Sequence, residues 1–265
     1  MKSKSIFAAS LLVAGVAFAD STEVATDFVL GVMPFNFAAN QAEAVVSIPW
    51  VAAGSNNTTP TDVAVKDVIK TANLNPGDML YWYDSSAKNF KYWRLTSGGE
   101  GNPSYWKPVP NPSSEEESSD STTLARGGAL LVKRNSDTSN AVTIYILGQH
   151  TTATPSTITI PAGTRASPSF TLLASPIESG TADLVTKFSS AAPGDAIIFA
   201  DSSGNLKTYT WGLNTSTKEY CWGRGSVSNG VYSFGVDSAA TDIGEFPAGK
   251  GFWYKRCGDS FNVNW

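Results

Sequence analysis

One pattern occurs twice in this chain and constrains its fold more than any other feature. Pro-Gly-Asp, five further residues and then Asp-Ser-Ser occupy residues 76–86 and again residues 193–203. Further along, residues 127–134 (GGALLVKR) match residues 249–256 (GKGFWYKR). These agreements come in the same order in both halves, which indicates an internal duplication. Two copies are too few for a solenoid or a propeller, so the sequence predicts two related units in one chain.

Each unit has strand signals on both sides of the repeated motif. An apolar run at residues 44–50, and a matching run at 170–176, precede a polar loop and a short helical pattern. β-Branched and aromatic residues then flank Asp-Ser-Ser, which predicts a β-hairpin after each Pro-Gly-Asp turn. The expected fold is mainly β, a β-rich α+β class. It consists of two duplicated antiparallel β units, each with one short helix before the Pro-Gly-Asp turn, with sheets packed as in a β-sandwich.

The helical pattern is short in both units. Apolar residues recur at helical spacing: Val65, Val68, Ile69 and Ala72 in the first unit, and Leu184, Val185 and Phe188 in the second. The residue that caps the helix is expected to be Thr61 or Asp62 in the first unit and Thr181 in the second.

The first 19 residues have the features of a secretory signal peptide. Lys2 and Lys4 form a basic segment, residues 6–16 are apolar but too short to span a bilayer, and Ala-Phe-Ala at 17–19 provides a cleavage site. Residues 20–150 are then expected to form the first β unit with an N-terminal strand, and residues 151–265 the second. The mature chain is expected to be exported to the periplasm, the cell surface or the medium of a bacterium.

Charge limits the classes of partner. Without Lys2 and Lys4 the chain has 17 basic and 23 acidic residues, a net charge of −6. Nucleic-acid binding needs a basic patch, and the Lys-Arg pairs at 133–134 and 255–256 are too small to form one. No later apolar run is long enough for a transmembrane helix. The partners that the sequence allows are a second copy of the chain, other surface proteins and glycans, and no cofactor is predicted.

The segment at residues 111–123 (NPSSEEESSDSTT) interrupts the first unit. It is acidic and has no apolar residue, so it cannot contribute to a core and is predicted to be a mobile surface loop. Calcium binding is the functional alternative, but the spacing of its acidic residues matches no known calcium loop.

The aspartates of the repeated motif are the first candidates for chemistry. Asp78 and Asp84, like Asp195 and Asp201, bracket one five-residue strand. At about 3.3 Å per residue the two ends of that strand lie roughly 20 Å apart, whereas the acid/base pair of a glycosidase is separated by about 5–10 Å. Asp after Pro-Gly, and Asp before Ser-Ser, favour turns through hydrogen bonds from side chain to main chain. The sequence therefore predicts structural carboxylates.

His150 is the single histidine of the chain. A zinc site or a Ser-His-Asp triad would have to be built on this residue, and no Gly-x-Ser-x-Gly or His-Glu-x-x-His pattern accompanies it. A surface histidine is expected, and no catalytic or metal-binding residue is predicted.

Aromatic residues are frequent on the predicted strands. In one of them Tyr81 and Tyr83 share one face, while Leu80 and Trp82 share the other. Flat rings beside polar residues can form a sugar-binding platform, and they can also pack between two sheets. Five tryptophans are the candidates for a platform: Trp82, Trp93, Trp106, Trp211 and Trp222.

Cys221 and Cys257 are the two cysteines of the chain. Each follows an aromatic-rich run, as expected for partners on neighbouring strands, and export permits a disulfide between them. The alternative is a pair of buried thiols.

The second unit resembles repeats of uncharacterised secreted bacterial β-proteins. The resemblance rests on the Pro-Gly-Asp strand and turn at 193–203, followed by Pro-Ala-Gly-Lys-Gly-Phe-Trp-Tyr at 247–254. The first unit matches more loosely, because Arg-Gly-Gly-Ala-Leu at 126–130 replaces the aromatic-rich version. The resemblance implies an exported, surface-associated protein and brings no known active site.

These patterns favour a non-enzymatic exported protein, structural or adhesive, that acts through β-sheet surfaces and subunit contacts. The alternative is a carbohydrate-binding module that uses exposed tryptophans and tyrosines. A third hypothesis, a hydrolase assembled from carboxylates between the units, has no motif to support it.

Overall fold

The computed structural model of the chain describes residues 30–52, 62–118, 121–135, 137–149, 157–176, 180–201, 205–224, 226–228, 231–234 and 241–265. Several sequence predictions lie outside these ranges: the signal peptide, the start of the N-terminal strand, His150 and the second Ser-Ser of the repeated motif. Within the ranges, none of the helices has the length and apolar character needed to cross a membrane.

The fold is mainly β, as predicted. The first unit contains β1 (Leu30–Phe37), β2 (Glu43–Ser47), β3 (Val63–Ala64), α1 (Val65–Val68), β4 (Ile69–Lys70), β5 (Met79–Asp84), β6 (Asn89–Thr96), β7 (Tyr105–Val109), β8 (Thr123–Leu124), β9 (Ala129–Lys133) and β10 (Val142–Gln149). The second contains β11 (Thr157–Ile160), β12 (Ser169–Ala174), β13 (Thr181–Ala182), α2 (Leu184–Lys187), β14 (Ala196–Ala200), β15 (Leu206–Asn214), β16 (Tyr220–Gly223), β17 (Ser226–Ser228), β18 (Val231–Phe234), α3 (Thr241–Gly244), β19 (Phe246–Pro247), β20 (Gly251–Arg256) and β21 (Phe261–Asn264).

The order of the strands shows the duplication directly. The large sheet of the first unit has the order β2-β9-β5-β6-β7, and the second unit repeats it as β12-β20-β14-β15-β16. The short ladder β3–β8 corresponds to β13–β19, and β1–β10 corresponds to β11–β21. These pairs are all antiparallel. The second unit adds β18, which pairs with β15 in parallel, and β17.

A short helix lies before the Pro-Gly-Asp turn in each unit, as predicted, but the predicted cap of α2 is wrong. Asp183 is the capping residue, and its carboxylate accepts hydrogen bonds from the main-chain N–H groups of Val185 and Thr186. Thr181 cannot take this role because it lies in β13, where it pairs with Pro247.

The helix of the first unit also begins later and ends earlier than its pattern indicates. α1 follows Ala64, whose side chain makes no cap, because the residues before it form β3 and pair with β8. Asp62 is therefore not the cap, and Thr61 lies outside the described ranges. Ile69 belongs to β4 and pairs with Ile146 of β10, which ends the helix after one turn.

One face of each large sheet covers a hydrophobic core that the helix and the smaller sheets close. Equivalent strand positions supply both cores: Val46, Leu80, Trp93, Leu130 and Val132 in the first unit, and Leu173, Ile197, Tyr209, Phe252 and Tyr254 in the second. The two cores use different residue types at these positions. The two units therefore resemble each other more in strand order than in side-chain packing.

The two units meet through a reciprocal exchange of main-chain hydrogen bonds. The N–H of Ser47 donates to the carbonyl of Gly249 (3.2 Å), and the N–H of Ala174 donates to the carbonyl of Gly127 (3.0 Å). Ser47 and Ala174 end the equivalent strands β2 and β12, while Gly127 and Gly249 precede the equivalent strands β9 and β20. A contact that is reciprocal in this way has two-fold symmetry. The units are therefore related by a pseudo-two-fold axis through this seam.

Small side chains let the outer faces of the two sheets approach each other at the seam. Ala129 and Ala174 are buried there together with Leu172, and Trp253 of the second unit packs against this cluster. Gly251 is the counterpart of Ala129, and a Cβ atom on it would overlap Cγ1 of Val45. The two units thus keep separate sheets and cores but share one packed interface.

We expect Gly251→Ala to destabilise the protein by about 1–3 kcal/mol, because the added methyl group overpacks the seam against Val45. Urea unfolding of the mature chain measures the loss. Gly244→Ala is the matched control, since a Cβ atom there meets open space. Val45→Gly added to Gly251→Ala removes both Val45 atoms that the new Cβ overlaps, Cγ1 and Cβ, so it should recover part of the loss. Additive costs in the double variant would contradict the clash.

We expect Asp183→Ala to destabilise the protein by about 1 kcal/mol through loss of the α2 cap. The hydrogen bond from Thr186 lowers the pKa of Asp183 below its ordinary value. A lowered folded-state pKa means that the stabilisation is present above about pH 4 and is lost as the pH falls through the folded pKa. Unfolding curves at pH 7 and at pH 3 should therefore differ more for the parent than for Asp183→Ala, and a pH-independent difference would contradict this role.

Candidate functional site

The aspartates that follow Pro-Gly are buried and structural, as predicted. The carboxylate of Asp78 accepts hydrogen bonds from the main-chain N–H groups of Asn75 and Asn135, both at 2.9 Å. Asp195 accepts the equivalent bonds from Ala192 (2.9 Å) and Cys257 (2.6 Å). Each carboxylate therefore ties the turn before the hairpin to the residue that follows the Lys-Arg pair.

The glycine of each turn is required by its backbone. Gly77 and Gly194 have φ angles of 98° and 100°, in the left-handed region that favours glycine. Their N–H groups donate to the carbonyls of Leu95 (2.8 Å) and Trp211 (2.9 Å). At the tip of the first hairpin Asp84 accepts hydrogen bonds from the main chain of the turn, which confirms its predicted role.

The second unit adds two side chains to its aspartate. The hydroxyl of Tyr254 donates to Oδ2 of Asp195 (2.7 Å), and the guanidinium of Arg256 forms an ion pair with the same oxygen. Burial, followed by the negative charge of Asp195, raises the pKa of Tyr254 far above its ordinary value, so the hydroxyl remains a donor. All three residues are at most 5% exposed, so this cluster is closed to a substrate.

Among the described residues of the first unit, the equivalent positions do not form this cluster. Val132 stands where the second unit has Tyr254, and Arg134 stands where it has Arg256. The guanidinium of Arg134 donates instead to the carbonyls of Asp137 and Asn140. The two copies therefore share the turn and differ in what surrounds its carboxylate.

The predicted disulfide between Cys221 and Cys257 is wrong, because both cysteines are free. Cys221 lies on β16 and Cys257 follows β20, and two strands, β15 and β14, lie between them. Three strand spacings amount to roughly 14 Å, whereas a disulfide needs Cα atoms about 4.4–6.8 Å apart. The thiol of Cys257 donates to the carbonyl of Gly194 (3.3 Å), and burial raises its pKa.

The five tryptophans predicted as platform candidates do not lie on one surface. Trp93, Trp106 and Trp222 are at most 3% exposed. Trp82 packs against the core of the first unit and Trp211 against that of the second. This packing agrees with the interpretation of these rings as core residues.

The acidic loop lies on the surface beside β7. Glu115 forms an ion pair with Arg94, and the ammonium of Lys107 donates to the main-chain carbonyl of Glu115 (2.7 Å). The N–H of Ser118 donates to the carbonyl of Pro108 on β7 (2.9 Å). These contacts hold residues 111–118, the described first part of the loop, along a strand at the edge of the sheet. In the described part of the chain, no three His, Cys, Asp or Glu side chains are grouped so that they could hold a metal ion.

An aromatic ridge, formed by Tyr81, Tyr83, Phe90, Tyr92 and Trp253, is the first candidate surface. Tyr81 and Tyr83 lie opposite the core face of β5, as the alternation of the strand predicts. Ring centroids are 5.4 Å apart for Tyr81 and Tyr92, and 5.1 Å apart for Tyr83 and Phe90 and for Tyr83 and Trp253, all edge-to-face. All five side chains are partly exposed. Trp253 belongs to the second unit, so the ridge crosses the seam.

A cleft between the two units is the second candidate. It has a volume of about 510 Å³ and lies between the outer faces of the two sheets. Its walls are mostly apolar: Val45 and Leu131 from the first unit, and Leu172, Ile198, Leu206 and Trp253 from the second. Glu43, Asp201 and Lys250 are the charged residues that line it.

The ridge and the cleft occupy equivalent positions on opposite sides of the pseudo-two-fold axis. The strand pairing makes Ala200 the counterpart of Tyr83, and Leu206 the counterpart of Phe90. Leu131 is likewise the counterpart of Trp253. Sequence reasoning missed the cleft, because its walls come together only through the seam. The alternation on β5 was the signal that pointed to the ridge.

No protein-family model, curated protein or solved structure matches this chain. The resemblance to secreted bacterial β-repeat proteins therefore stays a prediction. The ridge and the cleft are interpreted from their own geometry.

Asp195→Asn should destabilise the protein by about 3–5 kcal/mol, because it leaves the guanidinium of Arg256 buried without its ion-pair partner. Asp78→Asn is the matched control in the first unit, where the carboxylate binds the equivalent N–H groups. Its cost should be about 1–2 kcal/mol. Urea unfolding at neutral pH measures both values, and equal losses would show that the ion pair adds nothing to the second unit.

Proposed function

We propose that this chain is a non-enzymatic, exported structural or adhesive protein of the bacterial cell surface or periplasm, and that it acts through β-sheet surfaces and subunit contacts. The aromatic ridge is the observation that carries the proposal. Aromatic side chains are enriched at protein interfaces because they offer a large contact area at low entropic cost. Five such rings lie partly exposed on one continuous surface.

The use of the carboxylates supports a non-enzymatic role. Asp78 and Asp195, the aspartates that a duplicated active site would use, are buried and hydrogen-bonded within their own units. Glu115 of the acidic loop is paired with Arg94. The carboxylates of Asp78 and Asp195 are thus closed to a substrate, whereas a catalytic acid or base must reach the proton that it transfers.

A carbohydrate-binding module is the second candidate, and the same ridge favours it. Tyrosine and tryptophan rings beside polar groups provide the apolar contact and the hydrogen bonds that sugars use. The rings of the ridge meet mostly edge-to-face, so they do not offer one flat platform. This geometry suits an irregular protein surface better than a stacked sugar ring.

Fractionation of the native cells tests the localisation and the assembly together. The native protein is expected in the envelope or the medium, and it should run as a species much larger than the 28.0 kDa chain. A monomer in the periplasm would contradict the structural role.

Tyr92→Ser tests whether the ridge carries the contact. The variant should keep its fold and lose at least tenfold in self-association or in binding to the envelope, because it removes one of the five rings of the surface. Tyr105→Ser is the matched control, since Tyr105 is an exposed tyrosine on β7 outside the ridge. If Tyr92→Ser instead loses binding to a panel of glycans while assembly is unchanged, the carbohydrate-binding candidate replaces the first.

A further inference from the structure

The cleft between the units has the size and the lining of a ligand site. Pockets for small molecules measure about 300–1,000 Å³ and are lined mainly by apolar and aromatic side chains. The cleft measures about 510 Å³, and its apolar walls come from both units. Its lining is distinct from the ridge, apart from Trp253, which belongs to both.

The other side of the pseudo-two-fold axis shows what fills the equivalent space. On that side Tyr83 and Phe90 place their rings against the indole of Trp253, with centroids 5.1 and 6.0 Å away. In the cleft their counterparts are Ala200 and Leu206, and both line it. The same backbone therefore encloses two aromatic rings on one side and an open cleft on the other.

The indole of Trp253 is also available to the cleft. It lines the cleft from the second unit, opposite Val45 and Leu131 of the first. By the pseudo-two-fold symmetry Leu131 takes the place of Trp253 beside Ala200 and Leu206. A flat ring in the cleft therefore packs on Leu131 and can also contact the edge of the Trp253 indole, which lines the same space.

The charged residues of the cleft define the polarity of its ligand. Glu43 and Asp201 are acidic and Lys250 is basic, so the lining holds charges of both signs. The ammonium of Lys250 lies 5.5 Å from the ring of Phe199, which also lines the cleft. A neutral molecule with an apolar body and a polar group directed to these residues fits this arrangement.

We propose that the cleft binds a small neutral aromatic molecule, such as a phenol, whose ring takes the place that Tyr83 and Phe90 occupy on the opposite side of the axis. The ring lies between the two sheets, in contact with Trp253 and the aliphatic walls. Its hydroxyl group faces the charged residues.

The test uses p-cresol, the side-chain analogue of tyrosine, titrated into the mature chain by calorimetry and by ligand-observed NMR. Saturable binding to one site per chain is expected. 4-Methylcyclohexanol, which has a similar shape and no aromatic ring, should bind roughly threefold to tenfold more weakly, because it lacks the edge-to-face contact.

The variant Ala200→Tyr/Leu206→Phe restores the aromatic residues of the opposite side and should abolish binding of p-cresol. Thr217→Tyr is the matched control. Thr217 lies in the turn between β15 and β16, is exposed and does not line the cleft, so this variant should bind as the parent does. Leu131→Trp fills the cleft from the opposite wall, and it tests the site independently if the double variant does not fold.

Four results would overturn the proposal, the first three from the binding measurements. They are absence of saturable binding to the parent, equal binding of p-cresol to the parent and to Leu131→Trp, and equal affinity for p-cresol and 4-methylcyclohexanol. A fourth is self-association of the parent, in the absence of any probe, that the filled variants alone abolish. That outcome would make a second copy of the chain the occupant. The oligomeric state of Tyr92→Ser, measured separately, reports on the ridge and not on the cleft.

Discussion

The reciprocal main-chain hydrogen bonds at the seam determine how the rest of the protein is arranged. They join Ser47 to Gly249 and Ala174 to Gly127, and the two glycines take the positive φ angles of 71° and 87° that this approach needs. Because the bonds link equivalent points of the two copies, they bring the outer faces of both large sheets together. The ridge and the cleft exist because of that approach, since each combines residues of both units.

The buried aspartates hold each unit to its own hairpin, and they show how the copies diverged. Asp78 and Asp195 bind equivalent N–H groups, so the turn itself has been kept. Tyr254 and Arg256 join Asp195 in the second unit, whereas Val132 and Arg134 occupy their positions in the first. The contacts of Asp195 with Tyr254 and Arg256 link the residue before β14 to the neighbouring strand β20. The sequence predicted a cross-link of this kind, between neighbouring strands, for the two cysteines.

Local and repeated features could be predicted from the sequence, and features that depend on strand order could not. The Pro-Gly-Asp turn and the alternation on β5 are local, so the hairpin and the structural role of Asp78 follow from them. The disulfide prediction failed because no local signal shows that β14 and β15 separate Cys221 from Cys257. The cleft depends on the seam, whose main-chain bonds leave almost no mark on the sequence apart from the glycines at 127 and 249.

Duplication explains how one protein can carry both a filled and an open version of the same surface. Packing of Tyr83 and Phe90 on Trp253 buries aromatic area across the seam and stabilises the contact between the units on one side of the axis. Large residues are then not needed on the other side, because this packing already stabilises the contact between the two units. Aromatic residues at Ala200 and Leu206 would add packing but would close the cleft, which is the usual conflict between stability and an open binding site. The backbone is nearly symmetric, and the cleft is open because smaller side chains occupy the equivalent positions on its side of the axis.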